Sequence, residues 1–321
     1  MTIRRDRMVQ AVLDSVGGAT QAQLRRGPRV TFSDDGEIGD DQGGVTREMF
    51  ADFARRSAAP EPGMLRLLKV TPANRVQPEP CVPLGAEYGH EHQHGADAAN
   101  AAAEAGAAEA EVGAVEAAAA AATVSSESGV EFGRQYRNLG RVCGMALWTG
   151  ELLDVSFAPF FLKRVIDPDR VYSLEDNGAD LAEEDPVFWQ SLSAMLTAAE
   201  ATTAPDEEVG VMFERTISSS LLDEPAAASA AGTEAESASA SASVAAAVAE
   251  PQTVELIEGG SDIPVTHANT RDFVEKYLHH KMSVSIMPQA RAFRCGLLDV
   301  LGDESLLTIF SASELSQLLG A

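Results

Sequence analysis

Leu139-Gly140-Arg141-Val142-Cys143-Gly144-Met145-Ala146-Leu147, running on to Leu152-Leu153-Asp154-Val155-Ser156-Phe157, is the most informative stretch of this 321-residue chain. Tyr136, Leu139, Val142, Cys143, Ala146 and Leu147 recur at helical spacing, which predicts a long helix beginning near Phe132. Gly140, Gly144 and Gly150 interrupt it. Small residues on such a helix indicate a neighbour packed close against it. Leu152 to Val155 reads as the way out of the helix, and Ala158 to Val165 as a second apolar helix.

The same periodicity extends outward in both directions. Met8, Val9, Val12, Leu13 and Val16 predict a helix. Val30 and Phe32 alternate with polar neighbours as a short strand, and Asp34-Asp35-Gly36 follows as a turn. In Gly43-Gly44-Val45-Thr46-Arg47-Glu48-Met49-Phe50, Thr46 reads as a helix cap ahead of Phe50 and Phe53. Leu65, Leu67, Leu68 and Val70 suit a strand before the turn Thr71-Pro72-Ala73-Asn74. Leu174-Glu175-Asp176 opens a connecting segment. Asp185-Pro186 has the chemistry of a helix start, an Asp cap with Pro at the first helical position, and Phe188, Leu192, Met195 and Leu196 then share one face. Val209, Val211 and Phe213 alternate as a strand, as does Val254-Glu255-Leu256, which leads to the turn Glu258-Gly259-Gly260. Asn269 or Thr270 is placed to cap a helix carrying Phe273, Tyr277 and Leu278. Residues 289–319 predict two short helices around Gly302-Asp303.

Residues 95–129 and 224–250 stand apart. They are Ala, Glu, Gly and Ser with almost nothing able to fill a core, so they read as disordered insertions in surface loops. Asp and Glu number 49 against 24 Lys and Arg, a net charge of −25. That excess disfavours nucleic acid, whose phosphates are held by clustered Lys and Arg, and equally an anionic membrane. No signal-peptide core and no apolar run long enough to span a bilayer is visible. Cys81, Cys143 and Cys295 are too few and too dispersed for a disulfide scaffold or a zinc site. A reducing, intracellular setting is the default expectation.

Five blocks together resemble the HECT family of ubiquitin ligases, specifically the N-terminal lobe of its domain. The first is Val30-Thr31-Phe32, the acidic Gly36-to-Asp40 turn and Gly43-Gly44-Val45-Thr46-Arg47-Glu48-Met49-Phe50. The second is the opening stretch, Leu139 to Leu147 with Leu152 to Phe157. Asp185-Pro186 to Ser191-Leu192 is the third. Glu255-Leu256, Gly259-Gly260 and Ile263-Pro264-Val265-Thr266 form the fourth. The last joins Ala292-Phe293 and Gly296-Leu297 to Ile309-Phe310, Glu314-Leu315 and Leu318-Leu319. They keep the family's order, and both insertions fall where the family has loops.

The resemblance implies an α+β, mainly helical fold: residues 1–321 as a HECT N-lobe, with a large helical subdomain and a small α+β subdomain at 185–281. It implies a ubiquitin ligase that takes ubiquitin from a ubiquitin-conjugating enzyme onto a cysteine and passes it to a lysine of a protein substrate whose identity the sequence does not give. A thiolate suits that relay because a thioester both forms and is attacked readily. The family's cysteine lies in a C-terminal lobe in a Thr-Cys-Phe context that nothing here matches. The expectation is therefore that residues 1–321 supply the docking lobe and are inactive alone. A second reading is a binding module that only captures conjugating enzymes, and a third is a truncated gene product.

By position, the resemblance assigns a docking groove to Phe188, Leu192, Met195, Val209, Val211, Phe273 and Tyr277. From periodicity alone the same residues form the small subdomain's core, and for Val209, Val211 and Tyr277 both readings stand. No cofactor and no metal is expected. His90, His92 and His94 alternate in a way that suits a divalent cation, but they read better as a polar loop, and His279-His280 as a surface pair. Cys143 reads as a small core residue. No phosphate loop or Gly-x-Ser-x-Gly occurs. A cytoplasmic or nuclear location is expected.

Overall fold

The computed structural model describes residues 1–32, 44–59, 66–80, 127–217 and 252–320. Its first part carries β1 (Thr2–Ile3), α1 (Met8–Gly17), α2 (Gln21–Arg25), β2 (Thr31–Phe32), α3 (Gly44–Ala58), β3 (Leu68–Val70) and β4 (Val76–Pro78). Four helices follow: α4 (Glu127–Thr149), α5 (Pro159–Ile166), α6 (Leu174–Glu184) and α7 (Pro186–Ala201). Then come β5 (Glu208–Met212), β6 (Glu214–Ile217), β7 (Gln252–Glu255) and β8 (Pro264–Thr266). The chain closes with α8 (Thr270–Met282), α9 (Met287–Leu301), α10 (Ser305–Thr308) and α11 (Ala312–Leu319). It is an α+β fold, mainly helical. The sheets are two-stranded: β1 pairs with β2 in parallel, while β3–β4, β5–β8 and β6–β7 are antiparallel.

α4 and α9 form the centre, and glycines set their separation. A Cβ at Gly140 would fall on the Phe293 carbonyl, and one at Gly296 on the Arg137 carbonyl. The two backbones therefore touch, as the small residues of α4 suggested. Gly144 makes room for the Val300 side chain. Phe293 meets Phe157 and Phe161 with ring centroids 5.6 and 5.3 Å away. One continuous core runs from Ile3 and Phe50 through Tyr136 and Phe161 to Phe273 and Leu319.

Arginines finish several helices. The last carbonyls of a helix have no partner within it, and a cation there also suits the helix dipole. Arg141 donates to Val16 O and Gly17 O at the end of α1, at 2.9 and 2.6 Å. Arg25 donates to Val300 O at the end of α9 (2.7 Å) and lies 4.3 Å over the Trp148 ring. Arg294 donates to Val165 O and Ile166 O at the end of α5. Arg141 and Arg137 also converge on Asp299, bracing α4 against α9.

Several expectations need correction. Leu174-Glu175-Asp176 does not open a loop but begins α6, where Ser173 and Asp176 form a reciprocal capping box; that cap supplies the start signal the weak apolar pattern lacks. Thr46 lies inside α3 and its hydroxyl bonds Pro28 O instead of capping. α4 starts at Glu127, in the Glu-Ser-Gly end of the 95–129 tract and about one and a half turns before Phe132. Residues 289–319 hold three helices, because Ser311 and Glu314 form a second capping box that restarts the chain at α11. Asn269 is the N-cap of α8 but spends its side chain on Thr266 N and Pro264 O. The Asp34-Asp35-Gly36 turn, Leu65, Cys81, His90, His92, His94, residues 224–250 and all but the end of 95–129 lie outside the described residues.

Candidate functional site

The predicted groove residues sit on α7, β5 and α8, and what mounts them is polar. Asp185 caps α7, its carboxylate accepting from Phe188 N at 3.0 Å, and Pro186 fills the first helical position as the sequence indicated. Behind it, Gly178 of α6 leaves room for the Trp189 indole. Glu184, at the end of α6, accepts from Thr71 Oγ1 (2.7 Å) and pairs with Arg75 (2.8 Å), docking the β3–β4 turn. Asn74 turns that corner with φ at 58°.

α7 and α8 meet through a ladder of rings. Phe188 lies 5.7 Å from Tyr277, Tyr277 lies 5.8 Å from Phe273, and Phe273 lies 5.5 Å edge-on to Phe213. Tilted and edge-to-face pairs at these separations each add roughly 0.5–1.5 kcal/mol beyond burial. The ladder divides by depth. Leu192 and Phe273 are 4% and 5% exposed and form its floor. Phe188, Met195, Val209 and Tyr277 are half-buried at its surface. Val211 is 40% exposed and is not packed on the core. The cause is a bulge: β5 covers with five residues, Glu208 to Met212, the span β8 covers with three, Pro264 to Thr266, and Gly210 is left-handed at φ 85°. Val211 and Met212 therefore face out, and Phe213 turns in between β5 and β6.

Sequence reasoning put Leu196 on the α7 face but not in the groove, and assigned neither Phe213, Val187 nor Ile263 to it. Val187 is 74% exposed beside Phe188, and Leu196 is half-buried one turn beyond Leu192. Phe213 was legible only as a member of an alternating strand, and its burial depends on the bulge.

Two cations lie against the rings. Lys281 Nζ is 5.4 Å from the Phe188 centroid and Arg215 is 5.7 Å from that of Tyr277. Burial, with Arg215 nearby, lowers the Lys281 ammonium to about 8. His279-His280, expected as a surface pair, is split: His280 is buried, and its Nδ1 lies 2.7 Å from the Arg215 guanidinium, which donates to it. Burial first, then the Arg215 and His279 charges, lower its pKa to about 3. An unfolded histidine titrates near 6.5. Below that pH the unfolded chain binds a proton that the folded chain refuses, so stability falls by about 1.4 kcal/mol per pH unit until about pH 3. Urea unfolding of the wild type should therefore lose roughly 1 kcal/mol more than His280→Gln between about pH 7.5 and about pH 5.5. Equal losses would show that His280 is not held neutral.

The two described cysteines do not form a catalytic arrangement. Cys143 is buried on α4, and burial pushes its thiol well above the ordinary range. Cys295 is exposed on α9 at the wall of a cleft of about 960 Å³ between the α5–α6 connection and α10–α11. No histidine lines that cleft among the described residues; its Lys163, Arg291 and Arg294 are engaged by Asp180, Asp169 and Glu304, and Arg170 lies 5.2 Å from the Tyr172 ring centroid. Among the described residues, no group of three His, Cys, Asp or Glu side chains is placed to hold a metal ion, and no helix is long and apolar enough to cross a membrane.

With this geometry in place, comparison with known proteins defines the class. The family model described as HECT-domain (ubiquitin-transferase) matches residues 108–321. The chain belongs to the HECT-domain family. Among similar proteins, the E3 ubiquitin-protein ligase TOM1-like of Neurospora crassa is 27% identical over 184 residues, covering 57% of this chain and 4% of that protein. The E3 ubiquitin-protein ligase hyd of Drosophila melanogaster is 27% identical over 184 residues, 57% of this chain and 5% of its own length. The human Ubiquitin-protein ligase E3B is 23% identical over 331 aligned positions, covering 99% of this chain and 23% of that protein. The chain thus spans less than a quarter of each of these relatives.

Proposed function

We propose that this chain serves ubiquitin transfer by a HECT-type ligase, and that its part is to receive the ubiquitin-conjugating enzyme on the face of α7, β5 and α8. Residues 185–281 act as the small subdomain and the remaining helices as the large one. The observation that carries this is the ring ladder. Its buried end is core, while its other end, Phe188 and Tyr277, stays half-open beside Met195, Leu196 and Val209. Such a face takes apolar and aromatic anchors from a partner. Ubiquitin and a protein substrate are then the further partners, and the acceptor cysteine is supplied outside Cys143 and Cys295. The cell compartment is the cytoplasm or nucleus.

The test is affinity for a conjugating enzyme, measured with Phe188→Ala and Tyr277→Ala. These are preferred to Phe273→Ala, because truncating a buried ring leaves a cavity that costs about 3–5 kcal/mol and confounds binding with folding. Loss of a central anchor should cost about 2 kcal/mol, roughly thirtyfold in Kd, and because each ring pair lost also lowers stability by roughly 0.5–1.5 kcal/mol, affinity is read well below each variant's thermal midpoint. Unaltered affinity in both variants would remove the docking assignment.

A further inference from the structure

The docking face has a charge as well as a shape. Over residues 185–217 and 252–281, Asp and Glu outnumber Lys and Arg eleven to four. Asp206, Glu207 and Glu208 are all exposed, and they lead directly into Val209 and Val211. Backbone bonds pin this ledge to the turn between β8 and α8: His267 N donates to Glu207 O and Ala268 N to Pro205 O. No ion pair within the described residues neutralises the three carboxylates. Three of the four cations of this face are engaged within the chain, the fourth being Lys276 of α8. Arg215 is buried against His280, Lys281 lies over Phe188, and Arg271 pairs with Glu175.

We infer that the apolar groove and its acidic ledge select a conjugating enzyme whose apolar docking loop is flanked by Lys or Arg. The inference rests on the docking reading above and adds which member of that class fits. Other occupants are opposed by charge. A second copy of this chain would set the same acidic excess against itself, and like charges at an interface suppress association. The chain's own 224–250 segment carries Glu and no Lys or Arg. A basic-flanked partner is drawn to the ledge before contact, an effect on association rate that weakens as salt rises.

The experiment measures association and dissociation rates of such an enzyme with the full chain at low and high salt. It compares wild type with D206K/E207K/E208K and with the milder D206N/E207Q/E208Q. The expected result is an association rate about tenfold lower for the Lys variant at low salt, a smaller fall for the neutral variant, and little change in dissociation. The difference should shrink at high salt. Changing the enzyme's flanking Lys and Arg to Glu should restore fast association with the Lys variant. Association rates that ignore both changes would overturn the inference and leave the docking reading intact, because that reading is judged by Phe188→Ala and Tyr277→Ala. Absence of binding by the wild type would overturn both.

Discussion

Gly296→Ala is expected to destabilise the chain by about 3 kcal/mol or more, the upper range for an inserted methylene. Most overpacked cores relax by turning a side chain. Here the obstacle is backbone. The new Cβ would coincide with the Arg137 carbonyl and lie 2.8 Å from Arg141 N, so α4 and α9 must separate along their contact. Separation would also loosen Phe293 from Phe157 and Phe161 and draw Asp299 from Arg137 and Arg141. At roughly 2–4 °C per kcal/mol for a domain of this size, the thermal midpoint should fall by about 6–12 °C. Gly133→Ala, on the partner helix α4, provides the opposite sign. Nothing lies within 4 Å of a Cβ there, and replacing a helical Gly by Ala gains about 0.5–1 kcal/mol. Calorimetry on the two variants checks both. A Gly296→Ala protein as stable as wild type would mean that the helices do not touch through their backbones.

Those glycines mark how far the sequence can be read. Gly140 and Gly144 interrupt a strong apolar period, which suggests a close neighbour but not which one. The answer, α9, lies more than 150 residues away in sequence, and Gly296 gave no comparable signal. Gly150, in the same group, is a different device: it takes φ 73° at the end of α4, where nothing crowds it. Elements with explicit chemistry were legible. Asp185-Pro186 gave α7, and Phe273 and Tyr277, one turn apart, gave the face of α8. Elements held by distant partners were not. β8 pairs with β5 across more than 50 residues, and α6 has few large apolar side chains. Of the groove, the α7–α8 rings could be placed on their helices before the fold was known, but their division into floor and surface could not. That division follows from the β5 bulge and from how deeply α8 packs, both tertiary.

Arg164→Met is expected to cost about 3–5 kcal/mol, the range for breaking a buried ion pair by removing one partner. Arg164 is fully buried, and its guanidinium is used in every direction. Nη1 donates to Phe160 O and Asp180, Nη2 to Asn177 and Ser283, and Nε to Ser283, with the Tyr172 ring 3.9 Å away. Burial lowers its pKa and the Asp180 carboxylate opposes that shift. The residues gathered come from α5, α6 and the turn after α8, elements that flank α7 and α8 in the chain. Met matches the volume but leaves Asp180 facing an apolar side chain, with only Lys163 to pair with it. Arg164→Lys should rescue little, since a single ammonium cannot reproduce the planar fork. Adding Asp180→Asn to Arg164→Met should recover about 1–3 kcal/mol, because the stranded charge is removed with its partner. Denaturant unfolding of wild type, Arg164→Met, Asp180→Asn and the double variant completes the cycle, and strict additivity of the two changes would show that the pair is not coupled. Because α6 leads directly into the Asp185 cap, Arg164→Met should also weaken any binding to the face of α7 and α8 that the docking proposal assigns to a conjugating enzyme, although Arg164 lies beneath that face.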